Sequence, residues 1–176
     1  MTEEAIKVYA RVRPCPDPSN DYDGLTIDEL DPDKLRIDFE SSTSTNIESN
    51  QHFFKFDHIF WKDSLQEDIF QIIALPLIDH TLEGYNSTLF AYGQTGSGKT
   101  FTITGDGTPS CMGIVPRALS YVYDKIQNSP KDYSISISYL EIYNNNAYDL
   151  LTRINSNQLM RLEDLTKVTI AENGTE

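Results

Sequence analysis

The stretch that most limits what this chain can become is Gly93-Gln94-Thr95-Gly96-Ser97-Gly98-Lys99-Thr100, between an apolar run (Thr88-Leu89-Phe90-Ala91-Tyr92) and a threonine-rich segment. It fits the pattern G-x-x-x-x-G-K-[ST] of a phosphate-binding loop. Its glycines carry no Cβ, so the backbone N–H groups are free to close around a polyphosphate. A helix opening at about Gly98 adds unpaired N–H groups and the positive end of its dipole. Lys99 then supplies a point charge for the β- and γ-phosphates, and the Thr100 hydroxyl a ligand for Mg²⁺. The bland alternative is a flexible Gly/Ser/Thr turn. The order of apolar strand, loop and helix favours the phosphate loop.

The 176 residues ordinarily make one domain, long enough to bury a core, and no internal repeat is present. Hydrophobic residues at 39% are those of a globular chain, and no apolar run approaches the roughly 20 residues of a membrane span. The acidic start, Met1-Thr2-Glu3-Glu4, has no secretory h-region. Cys15 and Cys111 have no zinc or C-x-x-C spacing and suggest a reducing compartment. There the glycosylation sequons at Asn86 and Asn173 would be inert. A net charge of −13 argues against nucleic acid and anionic membrane surfaces as partners, because both need a basic face.

Residues 6–13 alternate apolar and polar and read as a strand, stopped by Pro14, Pro16 and Pro18. Residues 17–33 read as a surface loop, 35–39 as a short strand and 41–51 as a hairpin tip or loop. Residues 52–60 return to strand, with Phe54 and Phe56 on one face. Ser64 and Glu67 form a capping box for a helix carrying Leu65, Ile69, Ile72, Ile73, Leu77 and Ile78, kinked at Pro76 and ending near Gly84. The loop strand 88–92 comes next, giving the αβ alternation of a doubly wound sheet. After it come helix over 99–104, a break at 105–113 and helix over 115–126 with Leu119, Val122 and Ile126 on one face. Residues 133–143 show the strictest alternation in the chain and predict a strand. A turn at Asn144-Asn145-Asn146 and two short strand candidates, 159–163 and 168–171, complete it.

A phosphate loop alone fits GTPases, small-molecule kinases, transport ATPases, helicases and motors; the N-K-x-D segment that reads guanine is absent. The opening strand decides among them. Taken together, five separated segments resemble the kinesin motor domain in order and spacing. They are Lys7 to Pro14, Phe56-Asp57-His58-Ile59-Phe60, Ala91-Tyr92 with the loop, Gly113-Ile114-Val115-Pro116-Arg117, and Ser138-Tyr139-Leu140-Glu141-Ile142-Tyr143-Asn144 with Asp149-Leu150-Leu151. The resemblance is to the family's first half. Within it, Phe101-Thr102-Ile103-Thr104-Gly105, the short break before Gly113 and the segment Leu162 to Ile170 look most like the ninth, ciliary and flagellar, kinesin family.

The resemblance implies an α/β phosphate-loop NTPase with a mostly parallel central sheet flanked by helices, incomplete at its C-terminal side, residues 1–176 being one part-domain. It implies ATP and Mg²⁺ as ligands, microtubules as partner, ATP hydrolysis coupled to movement, and a cytoplasmic, cytoskeletal or axonemal place. Arg11, Arg13 and Pro14 match the family's R-x-R-P motif, which lines the adenine, and Phe101 holds the position of the opposing ring. A guanidinium and a flat ring can pack on a base without reading its edges. On their own, Arg11 and Arg13 could be surface residues and Phe101 core. Two departures occur at the family's S-Y-x-E-I-Y-N-E: Asn145 replaces the last Glu, and the apolar residue two further on is Ala147. Both lie outside the phosphate loop and imply a local packing change rather than lost binding, the bland reading being a solvated turn. Neither the Ser/Arg-rich first switch nor the Asp-Leu-Ala-Gly-x-Glu second switch of kinesins is in the sequence, so no catalytic residue is expected here. Asp124 and Glu141 imitate the missing acid, but one lies in a helix pattern and the other lacks the following Gly. A non-motile nucleotide-binding or scaffold module on a cytoskeletal assembly is the alternative.

Overall fold

The computed structural model describes residues 6–15, 24–43, 46–130, 132–155 and 161–169. By internal contacts the chain forms two compact units, Met1–Asn128 and Ser129–Glu176. The first unit holds β1 (Tyr9–Arg11), β2 (Leu25–Ile27), β3 (Lys34–Thr43), β4 (Asn46–Lys55) and β5 (His58–Phe60), then α1 (Gln66–Ile69), a π turn (Phe70–Ala74), α2 (Leu75–Leu82), α3 (Lys99–Ile103) and α4 (Ile114–Gln127). The second holds β6 (Leu140–Tyr143), β7 (Asn146–Asp149) and β8 (Lys167–Val168), with short 3₁₀ segments at Leu150–Asn155 and Leu162–Asp164.

Among the described residues the one parallel pairing joins β1 to β5, Tyr9 opposite His58 and Arg11 opposite Phe60. Two further backbone bonds continue it, Asp57 N–H to the Val8 carbonyl and Val12 N–H to the Phe60 carbonyl, each 2.8 Å. The connection between β1 and β5 is an antiparallel sheet of order β2-β3-β4. Its strands reach Thr43 opposite Asn46, so residues 41–51, expected as a hairpin tip or loop, do belong to a hairpin, but as its paired strands rather than its tip. Residues 41–51 carry no hydrophobic period, which is why the sequence alone ended both strands short of the turn. The expected strand over 52–60 is two strands, β4 and β5, with Phe56 and Asp57 between them.

The core of the first unit is Phe60 and Ile69, each 1% exposed, with Phe70, Ala74 and Ile114. β5 and the α1–α2 segment therefore supply most of its buried apolar surface, and α4 closes over it. The helix cap falls one residue later than the sequence suggested. Leu65 is the N-cap residue, and its N–H donates to the Asp68 carboxylate at 2.8 Å, while Leu65 itself is 65% exposed. The buried face is Gln66, Ile69, Phe70 and Ala74, rotated away from the expected Leu65 and Ile72. Pro76 has no N–H for the helix ladder, and the strain is taken up as a π turn over Phe70–Ala74, closed by the Leu75 N–H on the Phe70 carbonyl. α2 ends in a Schellman motif: Tyr85 N–H bonds the His80 carbonyl and Gly84 N–H the Thr81 carbonyl.

Two expected strands have no ladder. Residues 88–92 and 132–139 are without regular pairing among the described residues. A strand is defined by its neighbour, and neither segment has a described one. Leu89 packs against the core, but most of their large apolar side chains are open to solvent, Phe90 at 76%, Tyr92 at 95% and Ile137 at 48%. In place of the mostly parallel sheet, the described residues form one short parallel pair and two antiparallel sheets. In the second unit, Asn144 and Asn145 (φ 47° and 60°) make the two-residue turn between β6 and β7. Asn tolerates this left-handed backbone better than the family's Glu would. Ala147 is buried, contrary to the expected solvated position. Leu162–Asp164 is 3₁₀ rather than strand, and β8 is Lys167–Val168; residues 159, 160, 170 and 171 lie outside the described ones.

Candidate functional site: the glycine-rich loop and its wall

The loop lies between residues 85–92 and α3, whose N-cap is Gly98. Gly96 and Gly98 have φ of 80° and 102°, values at which an L side chain is strained. A Cβ built on either meets no atom within 4 Å, so the glycines face open space rather than packed protein. The loop closes on itself through the Ser97 N–H to the Gln94 carbonyl, 3.1 Å. The Lys99 ammonium is drawn across it, donating to the carbonyls of Gly93 and Gln94 at 2.9 Å each. A cation is thus held inside a ring of backbone, on two neutral acceptors. Anionic oxygens entering the loop would make shorter and stronger bonds to it.

Thr100 is exposed in the first turn of α3, next to Lys99. Thr95 is exposed at the tip of the loop. α3 has only five residues, so its dipole adds less than a long helix would, and Lys99 and the loop amides carry the charge complementarity. Among the described residues no cluster of His, Cys, Asp or Glu could hold a metal by itself. Mg²⁺ in such sites ordinarily keeps several waters and is held by one or two carboxylates plus substrate phosphates, so the Thr100 hydroxyl would supply one ligand of such a set. Open space at Gly96 and Gly98, an ammonium in the loop and an exposed hydroxyl beside it fit a Mg²⁺-bound polyphosphate.

The arginines of β1 and its following turn reach this loop. Arg13 Nη1 donates to the Gly96 carbonyl at 2.5 Å. Arg11 Nη1 donates to Thr102 Oγ1 at 2.7 Å and Gln66 Oε1 at 2.9 Å, and its guanidinium lies 5.2 Å from the centre of the Phe101 ring. Partial burial pulls the Arg11 guanidinium below the usual arginine value. Pro14 is exposed beyond them. The structure therefore brings Arg13 to the loop and sets Arg11 on the Phe101 ring just after it, an anchored rather than a free arginine. Arg11 and Phe101 do not face each other across a gap as the expected opposing sides of a base would. Asp124 lies inside α4 and Glu141 in β6 opposite Tyr148, both in regular structure.

Two residues at the site escaped the sequence. Gln66, 6% exposed, donates through Nε2 to the carbonyls of Phe101 (2.6 Å) and Cys111 (3.2 Å). Thr102 accepts from Arg11 and donates to the Gly98 carbonyl at 3.0 Å. The available signal was the spacing of Gln66 with Ile69 and Phe70, a polar residue on the apolar stripe.

The sequence profile of the kinesin motor domain matches residues 11–176. The chain belongs to the kinesin motor domain family. It is 36% identical over 155 residues to kinesin-related protein 13 of Dictyostelium discoideum, covering 85% of this chain and 12% of that protein. It is 38% identical over 173 residues to the kinesin-like protein KLP1 of Chlamydomonas reinhardtii, covering 93% of this chain and 21% of that protein. Human kinesin-like protein KIF15 is 35% identical over 171 residues, 90% of this chain and 12% of that protein. This kinesin chain thus spans about an eighth to a fifth of the length of these relatives. Membership brings with it the phosphate-loop NTPase fold.

Proposed function

We propose that this chain is the nucleotide-cradling part of a kinesin that couples ATP hydrolysis to movement along microtubules. The observation that carries the reading is the Lys99 ammonium held inside the loop beside open space at Gly96 and Gly98. In it, the amides of residues 93–100 and Lys99 bind the phosphates, and Thr100 ligates Mg²⁺. Mg²⁺, when bound, neutralises charge on the transferring phosphoryl group. Arg11, Arg13, Pro14 and Phe101 form the wall for the adenine. Positioning and charge neutralisation are most of what phosphoryl transfer asks of a protein, and the loop supplies a share of both. The groups that organise the attacking water would come from the two switches, outside residues 1–176. The exposed segments 88–92 and 132–139 are read as strands of a mostly parallel central sheet whose neighbours come from that same part. The subfamily reading is the ninth, axonemal, one. It rests on residues 101–105 and 162–170, since relatives of several kinds match at 33% to 42% identity. Axonemal localisation of the tagged whole protein tests it.

The direct experiment on function is ATP turnover by the whole protein with and without microtubules. Microtubule-stimulated turnover that vanishes in Lys99→Ala supports the motor, and stimulation unchanged by that substitution contradicts it. The chain's net charge of −13 favours a second reading, a non-motile scaffold, because tubulin's surface is itself acidic. Salt-sensitive co-sedimentation of the whole protein with microtubules supports the motor; failure to co-sediment at any salt supports the scaffold.

A further inference from the structure

Among the described residues Gln66 is the buried polar side chain, and both its N–H groups and its amide oxygen are engaged. Both N–H groups go to main-chain carbonyls, Phe101 at 2.6 Å and Cys111 at 3.2 Å, and the oxygen accepts from Arg11 Nη1 at 2.9 Å. Its orientation is forced, since turning the amide over would set its oxygen against two carbonyls and its N–H groups against a guanidinium. From Arg11 the network runs to Thr102 Oγ1, and from Thr102 to the Gly98 carbonyl of the loop. One side chain of α1 thus touches β1, α3 and the 105–113 break at once. An unanchored arginine loses rotamer freedom each time it stacks on a ligand; one already held over Phe101 does not.

We propose that Gln66 is a positioning residue for the base wall. By holding Arg11 over the Phe101 ring and fixing the Phe101 main chain, it makes the site favour a purine nucleotide over a bare polyphosphate. The inference rests on the nucleotide reading above and adds the residue that sets its base preference. It predicts a split that simple stabilisation of the fold would not produce. The phosphates are held by the loop amides and Lys99, which Gln66 does not contact, while the base is met by the groups Gln66 holds.

The test is titration of the whole protein with Mg·ATP and with Mg·tripolyphosphate, comparing wild type, Gln66→Met and Thr102→Val. Gln66→Met keeps the volume and removes the bonds. It is expected to weaken ATP about tenfold, the scale of one or two lost buried hydrogen bonds, and to change tripolyphosphate less than about twofold. Thr102→Val, which removes the second anchor of Arg11 together with the Thr102 bond to the Gly98 carbonyl, is expected to weaken ATP more than tripolyphosphate and carries the test if Gln66→Met does not fold. Equal losses for the two ligands, or no loss for either, would overturn the proposal. Wild type that binds neither ligand would instead overturn the nucleotide reading beneath it.

Discussion

At the scale of single residues, the loop depends on backbone that only glycine adopts without strain. Gly98→Val places a branched side chain at φ 102°, in the open space of the loop. It should cost about 1–2 kcal/mol of stability, measured by thermal unfolding, and should abolish binding of a Mg²⁺–triphosphate. Next to the site, the Asp106 carboxyl is held below its ordinary value, first by the Thr108 N–H and then by the Thr108 hydroxyl. A carboxyl so depressed stabilises the turn above its unfolded value, and that help is lost as pH falls through the lower folded one. Amide exchange at Thr108, corrected for intrinsic rate, should therefore quicken only when pH drops below about 4; protection independent of pH there would contradict the Asp106 clasp. The loop residues 93–100 were legible because their chemistry is local, a spacing of glycines before a lysine. Gln66 was not, because a polar residue near a helix start reads as solvent-facing until the neighbours that bury it are known.

Helix extents were legible, but not always the packed face: α4 meets the core through Ile114, Ala118 and Tyr121 rather than the expected Leu119, Val122 and Ile126. α4 and α3 were found within a residue or two of their ends, and the turn at Asn144 was found by composition. The α1–α2 segment was found, but its cap and its buried face were displaced. Asp68 outcompetes the Ser64 and Glu67 pairing, and the π turn before Pro76 rotates the stripe that a regular period of 3.6 residues would give. This segment supports both the core and the base wall. Ile69→Ala, at 1% exposure in α1, should cost about 2–5 kcal/mol by denaturant unfolding. The neighbouring Glu67–Arg117 pair, which ties α1 to α4, has a half-exposed carboxylate. Glu67→Gln should change stability by less than about 1 kcal/mol. If the two substitutions cost the same, burial is not what holds α1 in place. The strands of the β3–β4 hairpin were read too short because residues 41–51 carry no hydrophobic alternation to extend them.

For the molecule as a whole, composition and motif order indicated an α/β phosphate-loop protein, and family membership agrees. The sheet itself was not legible. Alternation in 133–143 marks a segment suited to a strand, but pairing depends on a partner elsewhere in space, and only Leu140–Tyr143 has one among the described residues. Tyr133, Ile135, Ile137 and Tyr139 are each 39% to 52% exposed, an apolar edge that invites association. Residues 1–176 alone should therefore be poorly soluble, and amides over 132–139 should exchange near intrinsic rates while Val12 and Asp57, bonded across β1 and β5, stay protected. Without the switches, the same chain should show negligible ATP turnover even with microtubules. The most direct measurement of the central claim is calorimetric titration of the whole protein with Mg·ATP, wild type against Lys99→Ala. The account predicts saturable binding by wild type and an affinity lower by about a hundredfold in the variant, the scale set by losing a charge-assisted bond to phosphate. Equal affinity in the two proteins would contradict it.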